Sequence, residues 1–382
     1  MISFELTEEQ NILRQTARKF AQNEIVPVAA QYDKDGTFPR DIAQKAFDMG
    51  LINDVIPEEY GGPGISYVDS CIVNEELAAG CAGVATTIMA NSLALTPILL
   101  AGTDEQKKRF FTPVCEKLTF SAFCLTEPDA GSDVSAVSTT AVRDGDEYVI
   151  NGAKQFITNG GVADLLTVFA STDRSKGARG LSAIVVRKDE TSGVSVGKEL
   201  DKMGQRASNT AEVIFEDVRV PADNLLGKEG DGFKIAMKTF DTTRAVVAAV
   251  SVGVARCAHE HAVKYSKERV QFGAPLAALQ TIQFALADIA MKISAARLLT
   301  WHAAWLADQG VRQSKEAAFA KGFAADVAMD ITTQVVQIFG GYGYSREYPV
   351  EKLMRDAKLL QIYEGTSQVQ RLVIARSVIK GG

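Results

Sequence analysis

Hydrophobic positions follow a helical period over the first third of the chain and again from Gly232 to the end. An early stripe runs from Ile12 to Ile25, and Thr7 with Gln10 fits a capping box that starts its helix. Pro39 and Gly50 are typical of a helix start and end. The same period predicts further helices at Tyr67–Ala79, Gly83–Leu100, 103–115, Phe233–Ser266, Leu276–Asp308, Ser314–Phe339, Pro349–Leu360 and Ser367–Ile379.

Between the two helical regions the period changes to the alternation of strands. Asp144-Gly145 separates two alternating runs, which predicts a β-hairpin. Further strands are predicted at Leu165–Ala170, Leu181–Val186 and Ala211–Val220. The pattern therefore predicts an α+β fold with an N-terminal α-helical domain at 1–118, a middle β domain at 119–228 and a C-terminal α-helical bundle domain at 229–382.

Composition narrows the class of protein further. Hydrophobic residues make up 46% and charged residues 23%, and the net charge of −6 argues against a general binder of nucleic-acid phosphates. The five scattered cysteines and three histidines lack ligand spacing, so no metal is expected. Met1–Leu6 does not resemble a signal peptide, which favours a bacterial-type cytoplasmic protein and leaves a processed mitochondrial-matrix form open. The apolar stretch Cys81–Gly102 contains several polar residues and is expected to be a buried helix.

The stretch Leu360–Arg371 carries the most informative carboxylate of the chain. Glu364 follows an apolar run and precedes Gly365, and Ser367 with Gln370 fits a capping box for a last helix. Two interpretations are open. Glu364 is either a general base whose pKa is raised between apolar residues, or a first-turn acid that complements the helix dipole.

Three other stretches are weak signals when each is taken alone. Cys124–Asp133 is a loop of small and hydroxyl residues that suits a polar ligand or a structural turn. Phe156-Ile157-Thr158 ends a strand and either packs a flat ring or belongs to ordinary strand packing. Gln337–Tyr344 carries glycines that either admit a pyrophosphate or end a helix, and it is not a Rossmann fingerprint.

Together these motifs make the chain resemble the acyl-CoA dehydrogenase family from end to end. Cys124–Ala136 is similar to the first family signature, and Gln337–Asp356 is similar to the second. The resemblance is strongest to the medium-chain and short-chain enzymes, through Glu75–Ala78 with Gly80-Cys81, through Lys202–Arg206, and through Phe240-Asp241 with Thr243-Arg244. It implies a helical, a β-barrel-like and a four-helix-bundle-type domain, in that order.

The resemblance also implies a role for each matching residue. Glu364 is the implied catalytic base, and Ser132, Asp241, Arg244 and Glu364 are the implied contacts of the acyl-CoA. The residues implied to hold FAD are Phe123, Cys124, Leu125, Thr126, Gly131, Ser132, Phe156, Ile157, Thr158, Arg269, Gln271, Gln280, Gln337, Ile338, Gly340, Gly341, Gly365, Thr366, Ser367 and Gln368. Arg269, Gln271 and Gln280 are expected to act partly across a subunit interface.

The implied reaction is FAD-dependent α,β-dehydrogenation of an acyl-CoA to the trans-2-enoyl-CoA. Glu364 would remove the α-proton and flavin N5 would accept the β-hydride, while the Glu364 backbone N–H and a ribityl hydroxyl polarise the thioester oxygen. The implied partners are an electron-transfer flavoprotein and further copies of the chain in a homotetramer, with no membrane insertion. An acyl-CoA oxidase, a nucleic-acid-binding relative and an interaction-only helical protein are the competing interpretations.

The segment that resembles the acyl-tail helix of the family predicts an uncharged substrate of short to medium length. No Lys or Arg occurs between Lys45 and Lys107, and Val84 stands where relatives that use glutaryl-CoA place an arginine. Met89-Ala90 departs from the Glu-Gly of the medium-chain enzymes, which leaves branched and alicyclic acyl groups open. A substrate that ends in a carboxylate is not expected, because an unpaired buried charge is costly.

Overall fold

The computed structural model describes residues 4–380, and the N-terminal part of the chain is helical. Capping boxes at Thr7 and Thr103, with Gln10 and Gln106, start α1 and α6 and confirm both predicted helix starts. A π-helical turn at Ala21–Ile25 connects α1 to α2. The helices are α1 Glu8–Phe20, α2 Val26–Asp35, α3 Arg40–Asp48, α4 Tyr67–Gly80, α5 Ala82–Ala101 and α6 Asp104–Glu116.

The middle region forms one sheet in the order β6-β7-β3-β2-β4-β5-β8, with β1 paired in parallel to β4. The predicted hairpin is present as β2 and β3. The alternation did not indicate β1, which is short, or β6, whose side chains are largely exposed. The strands are β1 Ser121–Cys124, β2 Thr140–Asp144, β3 Glu147–Thr158, β4 Leu165–Ser171, β5 Leu181–Arg187, β6 Val194–Glu199, β7 Thr210–Pro221 and β8 Leu225–Leu226.

Long helices return after the sheet and pack against one another. One predicted helix start and one predicted N-cap need correction. The segment Leu276–Ala278 is a 3₁₀ turn, so α8 begins at Gln280, and the N-cap of the last helix is Thr366 rather than Ser367. The elements are α7 Gly232–Glu268, the short pair β9 Val270–Gln271 and β10 Ala274–Pro275, α8 Gln280–Asp308, α9 Ser314–Phe339, α10 Val350–Leu360 and α11 Ser367–Ile379.

The hydrophobic core joins the three regions rather than dividing cleanly between them. One cluster lies among α1, α4, α5, α7, α8, α9 and α10, and a second lies within the sheet. A third cluster joins α5, α6 and the start of α7 to β4 and β5. Because Leu95, Phe111 and Ile235 share that cluster with Phe169 of β4 and Val185 of β5, the helical regions pack directly against the sheet.

Helix α5 explains the longest apolar stretch of the sequence. It is long and apolar enough to cross a membrane by length and composition, but 78% of its most hydrophobic window is buried inside the protein. Thr86, Asn91 and Thr96 on this helix are buried and hydrogen-bonded. The expectation of a buried core helix is therefore confirmed.

Candidate active site

Glu364 lies in the six-residue connection between α10 and α11. Its backbone adopts φ of 50°, and Gly365 follows with φ of 88°. A left-handed conformation is unfavourable for a residue with a side chain, and such conformations are concentrated at functional sites. The Thr366 hydroxyl accepts a hydrogen bond from Val369 N–H and starts α11, which fixes the end of this turn.

Among residues 4–380, the Glu364 carboxylate has one direct hydrogen-bond donor. The Thr243 hydroxyl of α7 donates to Glu364 Oε2 at 2.7 Å. Burial raises the pKa of Glu364, and the Thr243 hydrogen bond, Lys321 and Arg244 oppose that rise. A carboxylate with a raised pKa suits proton abstraction, because its basicity is closer to that needed near neutral pH.

The residues implied to contact the acyl-CoA differ in burial. Arg244 is 4% exposed and donates to Asp241 Oδ1 at 3.0 Å, while Ser314 also donates to the Asp241 carboxylate. The Arg244 Nε is buried without a hydrogen-bond partner in the structure. Ser132 lies exposed in the turn after β1.

Strand β1, which leads into the turn at 125–132, meets the first turns of α7 through aromatic side chains. The Phe123 ring lies 5.5 Å from the Phe240 ring, centroid to centroid. Phe240 directly precedes Asp241 in the sequence. Thr126 accepts a hydrogen bond from Gln155 N–H at 2.8 Å through its carbonyl, so the turn is tied to β3. Cys124 and Leu125 are buried, which leaves their backbone as the part of them that suits ligand contact.

The end of β3 presents an aromatic ring to solvent. The register between β3 and β7 shifts between Lys154 and Ile157, and Phe156 there has φ of 60° and is 62% exposed. Such a bulge re-aims a side chain. Ile157 is buried and Thr158 is half-buried, so the triplet offers one exposed ring and one hydroxyl to a flat ligand.

A second cluster lies at the other end of α7. The Arg269 guanidinium lies 5.2 Å from the Tyr342 ring centroid, which brings it to the end of α9. An added Cβ at Gly340 or Gly341 would meet no atom within 4 Å, so the backbone is open there. Among residues 4–380, no hydrogen bond or ring contact joins Arg269, Gln271, Gln280 or 337–341 to the turn after β1 or to 156–158.

The four residues after Glu364 serve the turn in different ways. Ser367 is buried and donates to Asp326 Oδ1 at 2.8 Å, while Gln368 is exposed. The Gln370 side chain donates to Gly365 O at 2.8 Å and to Glu364 O at 3.2 Å, rather than forming the predicted capping box with Ser367. Sequence reasoning missed Thr243 as a contact of Glu364, because nothing in a linear pattern joins positions 121 apart.

A buried ion pair supports the turn after β1 and was also missed. Lys154 is 0% exposed and donates to Glu127 Oε1 at 2.7 Å, to Leu125 O at 3.1 Å and to Phe169 O at 2.6 Å. Glu127 also accepts bonds from the Ser138 and Thr139 backbone N–H groups. The pair therefore fixes the backbone that carries Leu125 and Thr126.

We expect this pair to make the protein sensitive to acid. Burial raises the pKa of Glu127, but Lys154 and the surrounding donors outweigh burial and lower it to about 2. A lowered folded-state pKa gives stability that is present above the unfolded value and lost as the pH falls toward 2. Urea unfolding between mildly acidic pH and pH about 2.5 should show a loss of about 2–3 kcal/mol from this group. Glu127→Gln should flatten that slope, and an unchanged slope in the variant would contradict the assignment.

No group of three or more His, Cys, Asp or Glu side chains in the described part of the chain is arranged to hold a metal ion. The cysteines are unpaired thiols, and burial raises the pKa of Cys124 to about 12. A thiol with so high a pKa is a weak nucleophile.

Family models match almost the whole chain. The acyl-CoA dehydrogenase N-terminal domain matches residues 7–117, the middle domain matches 122–218 and the C-terminal domain matches 230–379. The chain belongs to the acyl-CoA dehydrogenase family. This membership confirms the resemblance and the three-domain architecture that the sequence predicted, and it makes the protein an oxidoreductase of that family.

Individual relatives within the acyl-CoA dehydrogenase family are similar over their full length. The chain is 46% identical to a short-chain specific acyl-CoA dehydrogenase of Clostridium acetobutylicum over 99% of this chain and 100% of the relative. Butyryl-CoA dehydrogenase from Megasphaera elsdenii has a TM-score of 0.96 and 45% identity, covering 99% and 100% of the two chains. A chain in the solved structure described as the electron transferring flavoprotein of Acidaminococcus fermentans gives 0.97 and 48% over 99% and 100%.

Proposed function

We propose that this protein dehydrogenates a short-chain acyl-CoA to its trans-2-enoyl-CoA, with Glu364 as the base that removes the α-proton. The position and environment of the Glu364 carboxylate support this proposal most strongly. It lies in a left-handed turn, is held by Thr243 at 2.7 Å, and has a pKa raised by burial. The thioester oxygen would accept a hydrogen bond from the Glu364 backbone N–H as negative charge develops.

FAD is the cofactor of this family, and the residues present fit it. The exposed Phe156 ring and the Thr158 hydroxyl suit the flavin ring. The segment 123–132 offers backbone groups as well, and the Gln155 N–H bond to Thr126 O ties it to β3. The open backbone at Gly340 and Gly341 and the cation of Arg269 suit the diphosphate and adenosine side. When bound, FAD supplies the acceptor for the β-hydride.

The acyl group should be uncharged and short. Val84 and Met89 on α5 are 0% and 6% exposed, so this part of the helix offers apolar, tightly packed side chains to an acyl tail. The short-chain specificity in the name of the Clostridium relative and the butyryl-CoA of the Megasphaera enzyme support the same choice. A branched or alicyclic acyl group of similar size is the second candidate, because Met89 is flexible.

We expect kcat/KM to be highest for butyryl-CoA among straight acyl chains of increasing length. Each methylene that finds no space in the pocket forfeits about 0.8 kcal/mol of burial, so the constant should change several-fold per carbon. The measurement is kcat/KM for straight-chain, isobutyryl, cyclohexanecarboxyl and glutaryl thioesters with one electron acceptor. A best substrate of fourteen or more carbons (about the length of myristoyl-CoA), or efficient turnover of glutaryl-CoA, would contradict this pocket assignment.

An electron-transfer flavoprotein is the proposed electron acceptor. The similar chain in the Acidaminococcus flavoprotein structure supports this partner. An acyl-CoA oxidase would use the same base, so reoxidation by the flavoprotein and by oxygen must be compared directly. The acidic balance of the chain weighs against a nucleic-acid-binding function, and we propose a cytoplasmic location of the bacterial type.

Helix α8 presents a hydrophobic stripe that suits another copy of the chain. Phe284, Met291, Leu298 and Trp305 stand at every seventh position and are 61%, 63%, 42% and 52% exposed. A seven-residue repeat of exposed apolar side chains is typical of the surface along which one helix packs against another. A second copy would cover this stripe, and a homotetramer would let the Arg269 cluster of one subunit complete the flavin site of another.

We expect light scattering to give the mass of a tetramer for the native protein. Replacing Met291 and Leu298 together by glutamate should yield smaller species, because like charges would then face each other along the α8 stripe. Val142→Glu is the matched control, since Val142 is 62% exposed on β2 and away from α8. A monomeric native protein, or a double variant that keeps the native mass, would contradict the assignment.

A further inference from the structure

Lys321 of α9 is a buried cation that the proposed reaction does not yet use. Its side chain is 0% exposed, and its ammonium donates to Gly365 O at 2.7 Å. The structure gives it no ion pair with any Asp or Glu among residues 4–380. Because a buried ammonium without an ion-pair partner costs free energy, its presence calls for a reason other than stability.

The groups that face Lys321 belong to the candidate active site. The negative charge of Glu364, in the turn before α11, and that of Asp326, on α9 itself, act on the ammonium. The cation of Arg244 on α7 repels it. Gln370 of α11 donates to the same carbonyl, Gly365 O, at 2.8 Å, so two donors converge on the peptide that follows Glu364.

We propose that Lys321 is the positioning residue of the Glu364 turn, holding the Gly365 carbonyl and keeping the Glu364 carboxylate ionised through its positive charge. This inference rests on the proposed function, because it assumes that Glu364 is the base. The left-handed backbone of Glu364 and Gly365 is unfavourable by itself, so a fixed donor on Gly365 O is needed to hold it. An opposite charge nearby favours the ionised carboxylate, which is the form that accepts a proton.

The Lys321 ammonium should lower the free energy of unfolding at neutral pH. Burial lowers the pKa of Lys321 to about 8, and Glu364 acts in the opposite direction. The unfolded chain therefore binds more protons than the folded chain between pH about 8 and the usual value of 10.5, so this group favours unfolding below pH 8. Lys321 is still mostly protonated at neutral pH, where it lowers stability while it supports the base.

The test compares Lys321→Met, which removes charge and donor, with Lys321→Gln, which keeps a donor but no charge. The pH dependence of flavin reduction by butyryl-CoA is measured for both. We expect the half-maximal pH to rise by about one pH unit in both variants, which slows reduction about tenfold on the acid side. Lys321→Met should also lose rate at high pH, because the Gly365 carbonyl has lost a donor.

A thermal melt of each variant separates this role from a purely structural one. Lys321→Met should melt no lower than the native protein, because it removes a buried charge. Lys315→Met, on the same helix but half-buried beside Glu316, should keep the native pH profile. Native pH profiles in both Lys321 variants would overturn the proposal and leave the function intact. A native protein that butyryl-CoA does not reduce would instead overturn the proposed function.

Discussion

Replacing Glu364 by glutamine should lower the rate of flavin reduction by butyryl-CoA about a thousandfold while FAD stays bound. The amide keeps the shape of the side chain and accepts the Thr243 hydrogen bond through its oxygen, but it cannot remove a proton. Stopped-flow absorbance of the flavin with native protein and variant gives the ratio directly. The variant should also keep its affinity for butyryl-CoA, because the loss falls on the chemical step.

Thr243→Val is the companion variant for Glu364. It removes a hydroxyl that donates to the carboxylate. Since that bond opposes the raised pKa of Glu364, its loss should raise the pKa further. The pH profile of reduction should therefore move upward with a smaller loss of rate than in Glu364→Gln. Near-native flavin reduction in Glu364→Gln would show that the base lies elsewhere.

Arg256→Met should produce the largest loss of stability, about 3 kcal/mol or more in the free energy of unfolding. Arg256 of α7 is the shared partner of two buried carboxylates on α4, with Nε 3.1 Å from Glu75 Oε1 and Nη2 2.6 Å from Glu76 Oε2. Arg297 of α8 and Arg18 of α1 complete the network. Without the Arg256 guanidinium, the buried carboxylates of Glu75 and Glu76 lose an ion-pair partner that they share. The ion pairs that join α7 to α4 within this four-helix network are then lost.

Arg219→Met is the matched control for that prediction. Arg219 pairs with Asp144 and Glu147 at 3.0 Å each, but its side chain is 51% exposed and water replaces what it loses. Urea unfolding at neutral pH should therefore place this variant close to the native protein. Equal losses of unfolding free energy in the two variants would contradict the explanation that the network stabilises the fold because Glu75 and Glu76 are buried.

The sequence correctly predicted elements whose formation depends on residues that are close together in the chain. The capping boxes at Thr7 and Thr103, the Asp144-Gly145 hairpin and the long helix Ser314–Phe339 are present because each depends on residues close in sequence. The N-cap of α11 was wrong by one residue, since adjacent Thr366 and Ser367 are equally suitable and only packing selects between them. The domain boundaries at 118/119 and 228/229 stay predictions.

Contacts between segments that are distant in the chain could not be predicted from the sequence. Thr243 and Lys321 meet the Glu364 turn from two different helices. Thr243 entered the sequence analysis only as part of a family motif, with no contact to Glu364 predicted, and no local pattern marks Lys321. Lys154 reads as an ordinary strand lysine until the fold places it beside Glu127. The predicted site residues themselves stay predictions, although the structure gathers Phe123, Asp241 and Glu364 around the start of α7.

Anaerobic mixing of the purified protein with butyryl-CoA tests whether the protein dehydrogenates a short-chain acyl-CoA with a bound flavin. We expect a yellow protein with about one FAD per chain, because each chain carries residues that fit one flavin. Its flavin absorbance should bleach as one equivalent of the trans-2-enoyl-CoA appears. A colourless protein that takes up no FAD on reconstitution, or a yellow one that short-chain acyl-CoA does not bleach, would show that the protein is not a short-chain acyl-CoA dehydrogenase.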